Sequence, residues 1–111
     1  MAEPNVKKLS DQALLLIAER FKALSEPTRL KLIMALQQGE KNVGTLVTET
    51  SSTQANVSRQ LQNLTEAGIL KRRKQGLHVY YSIADTDVFK LCDVVCGSLE
   101  DHYKHQAEAF N

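Results

Sequence analysis

Apolar residues return at helical spacing through the first 67 positions, and then the period changes. Leu14, Ile17, Phe21 and Leu24 predict a helix over about residues 12–24. Ser25-Glu26-Pro27 interrupts it. Proline suits the first turn of the next helix, where its missing N–H has no partner to lose. That second helix carries Leu30, Ile33, Met34 and Leu36 inward and stops near Gly39. Val43, Leu46 and Val47 predict a short third helix. Ser51-Ser52-Thr53 supplies N-cap hydroxyls for a fourth, which runs to Ala67 and stops at Gly68. Beyond it, Ile69–Arg73 and His78–Ile83 read as two strands around Lys74-Gln75-Gly76-Leu77. Asp85 opens a last helix to about Gln106, with Val88, Cys92 or Leu91, Val95, Leu99 and Tyr103 on its apolar stripe.

This order predicts a mainly α fold with a small β-hairpin, a winged helix-turn-helix in one domain over residues 1–111. The third and fourth helices form the reading pair and the hairpin is the wing. The terminal helices, about 12–24 and 85–106, carry more apolar surface than so small a core needs. They are expected to bury one another across a homodimer interface. The competing expectation is that both pack within one chain.

Hydrophobic content of 42% and charged content of 24% are ordinary for a globular domain. The polar start MAEPNVKKLSDQ has no apolar core of a signal peptide, and no run is long enough to span a membrane. The expected compartment is the cytoplasm, where the two cysteines, Cys92 and Cys96, begin as thiols. Net charge is only +1, but it is unevenly spread. Residues 51–84 carry Arg59, Lys71, Arg72, Arg73 and Lys74 against Glu66, a net of +4. Residues 85–111 carry a net of −4. The middle third is therefore the candidate surface for a nucleic acid; a merely solvated charged loop is the plainer explanation.

On the fourth helix Val57, Leu61 and Leu64 fall in one narrow arc. Ala55, Arg59 and Gln62 sit opposite, flanked in the first two turns by Gln54, Asn56 and Ser58. Gln and Asn can bond adenine bidentately, Arg can bond guanine, and a small Ala leaves room for a thymine methyl. An ordinary polar surface face would look similar, but here a glycine stop and a basic hairpin follow at once. Arg72, Arg73, Lys74 and His78 in the hairpin would contact phosphates or the minor groove. Strand alternation forbids Arg72 and Arg73 from facing DNA together.

Three ordered motifs, FKALSEPTRLKLIMAL, TQANVSRQL and LTEAGILKRRKQGLHVYYSI, resemble the ArsR/SmtB family of winged-helix repressors over roughly residues 12–106. The resemblance implies a homodimer that represses its own operon on a double-stranded DNA operator and leaves it when an inducer binds. It also implies DNA contacts from Gln54, Ala55, Ser58 and Arg59. The family's ELCVCDL metal motif corresponds to EKNVGTL here, with Asn42 and Gly44 where the cysteines would stand. The family's last-helix metal positions correspond to Asp85, Asp87, Ser98 and Asp101, which lack any imidazole and suit zinc poorly. The plainer role for Asp85 and Asp87 is to cap the helix and favour its dipole.

That leaves LCDVVC. Cys92 and Cys96, four apart on a helix, lie on one face. Two thiolates there suit arsenite, antimonite, copper(I) or zinc, with a third ligand from His102 or a dimer mate. Thiol oxidation and simple apolar filling are the competing roles for the pair. Catalysis is not expected: His102 lies six residues beyond Cys96 on the same helix, and the five glycines form no phosphate-cradling loop. The sequence thus reads as a non-enzymatic DNA-binding repressor, possessing an inducer site on the last helix. Its rivals are a winged-helix regulator without cysteine sensing and a protein-interaction module.

Overall fold

The computed structural model describes residues 8–109; residues 1–7 and 110–111 of the expected 1–111 domain lie outside the described residues. Five helices and three strands follow in the order α1 Asp11–Ala23, α2 Pro27–Ala35, β1 Lys41–Asn42, α3 Val43–Thr50, α4 Gln54–Glu66, β2 Leu70–Gln75, β3 His78–Ile83 and α5 Asp87–Ala109. A short 3-10 turn, Leu36–Gln38, extends α2.

Local chemistry sets the helix ends. Ser10 accepts from the Ala13 N–H at the start of α1, and Asn42 accepts from Thr45 N–H at the start of α3. Glu26 caps α2 with both carboxylate oxygens, one on Thr28 N–H and one on Arg29 N–H. Helix α4 begins at Thr53, whose hydroxyl accepts from Asn56 N–H at 3.1 Å. It ends in a Schellman motif: Gly68, at φ +79°, donates to Thr65 O, and Ile69 N–H reaches back to Leu64 O.

Leu32, Ile33, Leu46, Val57, Leu61, Leu64 and Ile69 form the sealed centre, where α2, α3, α4 and the base of the hairpin meet. Each such side chain contributes roughly 1.5–3 kcal/mol by leaving water. Two strands were expected and three are present. β1, only two residues long, pairs antiparallel with β3 through Lys41↔Tyr81 and Asn42↔Tyr80, giving the order β1-β3-β2. So short a strand has no apolar alternation to announce it. The hairpin turn is also tighter than expected, because Lys74 and Gln75 belong to β2 and only Gly76-Leu77 form the turn. Gly76 takes φ +59°, as the first position of a II′ turn requires.

The terminal helices stand largely outside this centre. Leu14, Leu15, Leu16, Ile17 and Phe21 of α1 are exposed, Leu15 and Leu16 at 67%; on α5, Val94, Val95, Leu99 and Tyr103 are exposed as well. Packing within one chain therefore leaves both stripes uncovered. One ion pair links the two helices' neighbourhoods: Arg20 Nη1 to Asp85 Oδ2 at 2.7 Å. Asp85 also accepts from Asp87 N–H at 3.0 Å, so it precedes α5 as a cap instead of opening the helix.

Candidate nucleic-acid interface

Val57, Leu61 and Leu64 are each 0% exposed, and their burial turns the other side of α4 to water. Gln54, Ala55, Ser58, Arg59 and Gln62 all lie exposed there. Asn56 behaves differently. It is half-buried, its Nδ2 donates to Ser52 Oγ at 2.9 Å, and its Oδ1 accepts from Gln60 Nε2 at 3.2 Å and Arg59 Nη2 at 3.3 Å. Both ends of the amide are in use within the chain. Asn56 thus links Arg59 and Gln60 to Ser52 at the start of the helix. Gln62 Nε2 donates to Glu66 Oε1 at 3.2 Å, one turn further along.

Register separates the wing's two arginines. Arg72 lies opposite Tyr81 and Arg73 opposite Tyr80, so they occupy different faces. Arg72 shares a notch of about 380 Å³ with Ser58, Gln62, Glu66 and Tyr81, between α4 and the sheet. Lys74 falls on the same strand face as Arg72. Arg73 is on the other face, bound to Glu40 through Nε at 3.0 Å and Nη2 at 2.6 Å. Its Nη1 donates to Gln75 Oε1 at 2.7 Å, and its guanidinium sits 4.7 Å from the Tyr80 ring centroid. The hydrogen bond from Arg73 lowers the Glu40 carboxyl below its ordinary range, and Glu40 in turn raises Arg73. His78 shares this outer face, its ring 6.3 Å from Tyr80. The structure therefore gathers Ser58, Gln62, Arg72 and Lys74 on one side, and places Arg73 and His78 on the other. Glu40 and Ser52, which hold two of these groups, carry no periodic signal that would single them out in the sequence.

On α5 both cysteines are free thiols, Cys92 half-buried and Cys96 exposed. Burial, with help from Asp93, raises the Cys92 thiol above its ordinary value. Cys96 donates to Glu100 Oε1 at 3.4 Å, and that bond and charge raise it too. The local field thus favours protonated sulfur over thiolate. His102 packs edge-on against Tyr103 at 5.3 Å. Among the described residues no three His, Cys, Asp or Glu side chains converge as a metal-holding group.

No described helix is long and apolar enough to cross a membrane. Comparison with known proteins points to the same fold. The model of the bacterial regulatory protein arsR family matches residues 26–72. A transcriptional repressor SmtB homolog of Synechocystis sp. is 38% identical over 99 residues, spanning 89% of this chain and 74% of that protein. A cadmium resistance transcriptional regulatory protein CadC homolog of Staphylococcus aureus is 37% identical over 103 residues, spanning 92% of this chain and 79% of that protein. The homodimeric winged helix-turn-helix DNA-binding domain of Mb0332 from Mycobacterium bovis, a possible ArsR-family transcriptional regulator, superposes with a TM-score of 0.73 at 34% identity, covering 90% of this chain and 95% of that one. These relatives are regulators and repressors, not enzymes. With a buried ridge turning a polar helix face outward beside a basic wing, and with this level of identity across nearly its whole length, the chain belongs to the ArsR family of winged helix-turn-helix transcriptional regulators.

Proposed function

We propose that two copies of the chain pair through α1 and α5 and hold an operator in successive major grooves. Gln54, Ala55, Ser58, Arg59 and Gln62 meet base edges, and Arg72 and Lys74 meet phosphates beside them. The observation that carries this reading is the fully buried Val57–Leu61–Leu64 ridge, which fixes the outward direction of the polar face. The uncovered apolar stripes of α1 and α5 supply the pairing surface, and the M. bovis domain is described as homodimeric. A symmetric pair must space its reading helices about 34–36 Å apart to meet one face of DNA.

Release follows when an inducer acts on α5. Two thiols four residues apart suit a soft ion such as arsenite, antimonite, copper(I) or zinc, and the S. aureus relative is named for cadmium resistance. A metal ion releases the thiol protons as it binds, whereas arsenite or antimonite exchanges its hydroxyls for sulfur and the protons leave with them as water; the third ligand is supplied by the partner copy, as no three candidate ligands converge among the described residues. A second reading has a specific observation behind it: burial raises the half-buried Cys92 thiol and the Glu100 bond raises Cys96, so both are held as thiols, as suits a pair that takes no ligand.

One experiment separates these. Binding to the DNA upstream of the chain's own coding sequence is titrated against salt for the parent, Cys92→Ser and Cys96→Ser, with and without arsenite, zinc and a mild oxidant. A repressor gives a saturable complex with a steep salt slope. Loss of the inducer response in both variants establishes cysteine sensing; an unchanged response in both removes it. The absence of any saturable complex leaves an interaction module in place of a repressor.

A further inference from the structure

On β2 the apolar anchor ends at Leu70, and from there the hairpin is tied to the core through β3, where Tyr81 is buried and Val79 and Ile83 pack against the centre. Every residue from Lys71 to His78 is exposed, so burial holds the base of the hairpin and leaves its outer half without an apolar contact. What crosses the wing is a polar row on its outer face. Glu40 immediately precedes β1, Tyr80 lies on β3, and Arg73 lies on β2, the strand furthest from β1. Asn42 and Arg73 are both register partners of Tyr80. The Glu40 carboxylate therefore reaches across the middle strand to grip Arg73 with two charged hydrogen bonds, at 2.6 and 3.0 Å, while Tyr80 lies 4.7 Å from the guanidinium carbon. Gln75 takes a further donor at 2.7 Å.

We infer that Glu40 is a positioning residue for DNA binding: by clasping Arg73 across the three-stranded sheet it aims the wing, and Arg73 serves the clasp and is no phosphate ligand. The inference rests on the DNA-binding function proposed above. An isolated exposed ion pair stabilises little, because water screens it and two long side chains must be ordered. Here the bidentate fork, the ring contact and the Gln75 bond fix the guanidinium from several directions, which is where such pairs become geometrically definite. Alternation along β2 does the rest. With Arg73 held on the outer face, Arg72 is turned into the notch beside Ser58 and Gln62.

The test uses the full chain, Glu40→Gln, Arg73→Gln and the charge-swapped double variant Glu40→Arg/Arg73→Glu. Each is titrated with a labelled duplex from upstream of the chain's own coding sequence over a range of salt, and its wing amides are followed by hydrogen exchange without DNA. Both single variants are expected to bind about two- to fivefold more weakly, with an unchanged salt slope and faster exchange through the hairpin. The swapped variant is expected to restore affinity and slow exchange. The inference fails if Arg73→Gln flattens the slope by about one, the mark of a lost phosphate contact. It also fails if Glu40→Gln binds more tightly, or if neither single variant changes wing exchange. A parent that binds no such duplex would sink the DNA-binding function alone, because the exchange measured without DNA still decides whether the clasp holds the wing.

Discussion

Arg59 is the cation proposed to read a base from α4, and its guanidinium is bonded to a neighbouring amide, Asn56, that has other partners within the chain. Asn56 takes Ser52 on one side and Arg59 and Gln60 on the other. A bidentate arginine–guanine contact is worth about 1–3 kcal/mol of discrimination. Arg59→Ala is therefore expected to lose about that much binding energy and to relax preference at one base position, read by titrating duplexes mutated base by base. Asn56→Ala is expected to lose less. In an Arg59→Ala background it should cost almost nothing more, because its effect on DNA runs through the guanidinium. A full additive loss in the double variant would make Asn56 a base reader in its own right. The sequence shows that Asn56 sits in the first turns of the polar helix; it does not show that Ser52, at the preceding turn, holds its amide.

Among the helices, α2 shows how one residue couples an element to pH. Glu26 caps it through two backbone N–H bonds, chiefly that of Thr28, and these hold its carboxyl below the ordinary value of 4.5. A carboxyl lowered in the folded state contributes stability that is present above its unfolded value and lost as pH falls through the folded one. Glu26→Ala is expected to lower stability by about 1 kcal/mol at pH 7, as for loss of other helix caps. The gap between parent and variant should narrow as denaturation is repeated below pH 4.5. A gap constant down to pH 3 would mean that the charge of the cap is irrelevant. All five helices are visible in the sequence because each carries a stripe of apolar residues with a capping or breaking residue at its edge. β1 is not visible, since two residues hold no period, and the end of the hairpin slips by two residues because polar Lys74 and Gln75 resemble turn residues. The Glu40–Arg73 bond joins positions 33 apart and leaves no periodic trace.

As an assembly, the chain is expected to be stable only when α1 and α5 are covered. Phe21 and Leu99 sit on the two stripes, 53% and 49% exposed. Burying such a side chain is worth about 1.5–3 kcal/mol, and a two-fold axis counts each loss twice. Phe21→Asp or Leu99→Asp should therefore shift the dimer dissociation constant by more than about 100-fold in sedimentation equilibrium, and operator affinity should fall with it. A variant that stays dimeric would place the interface elsewhere. The Arg20–Asp85 bond has a mechanical meaning in such a pair. It fastens the end of the first outer rod to the residue just ahead of the last, 65 positions along the chain. A shift of α5 in the pair would therefore strain or break this partly exposed bond, and Arg20→Gln is expected to change the response of DNA binding to an inducer more than the stability of the fold.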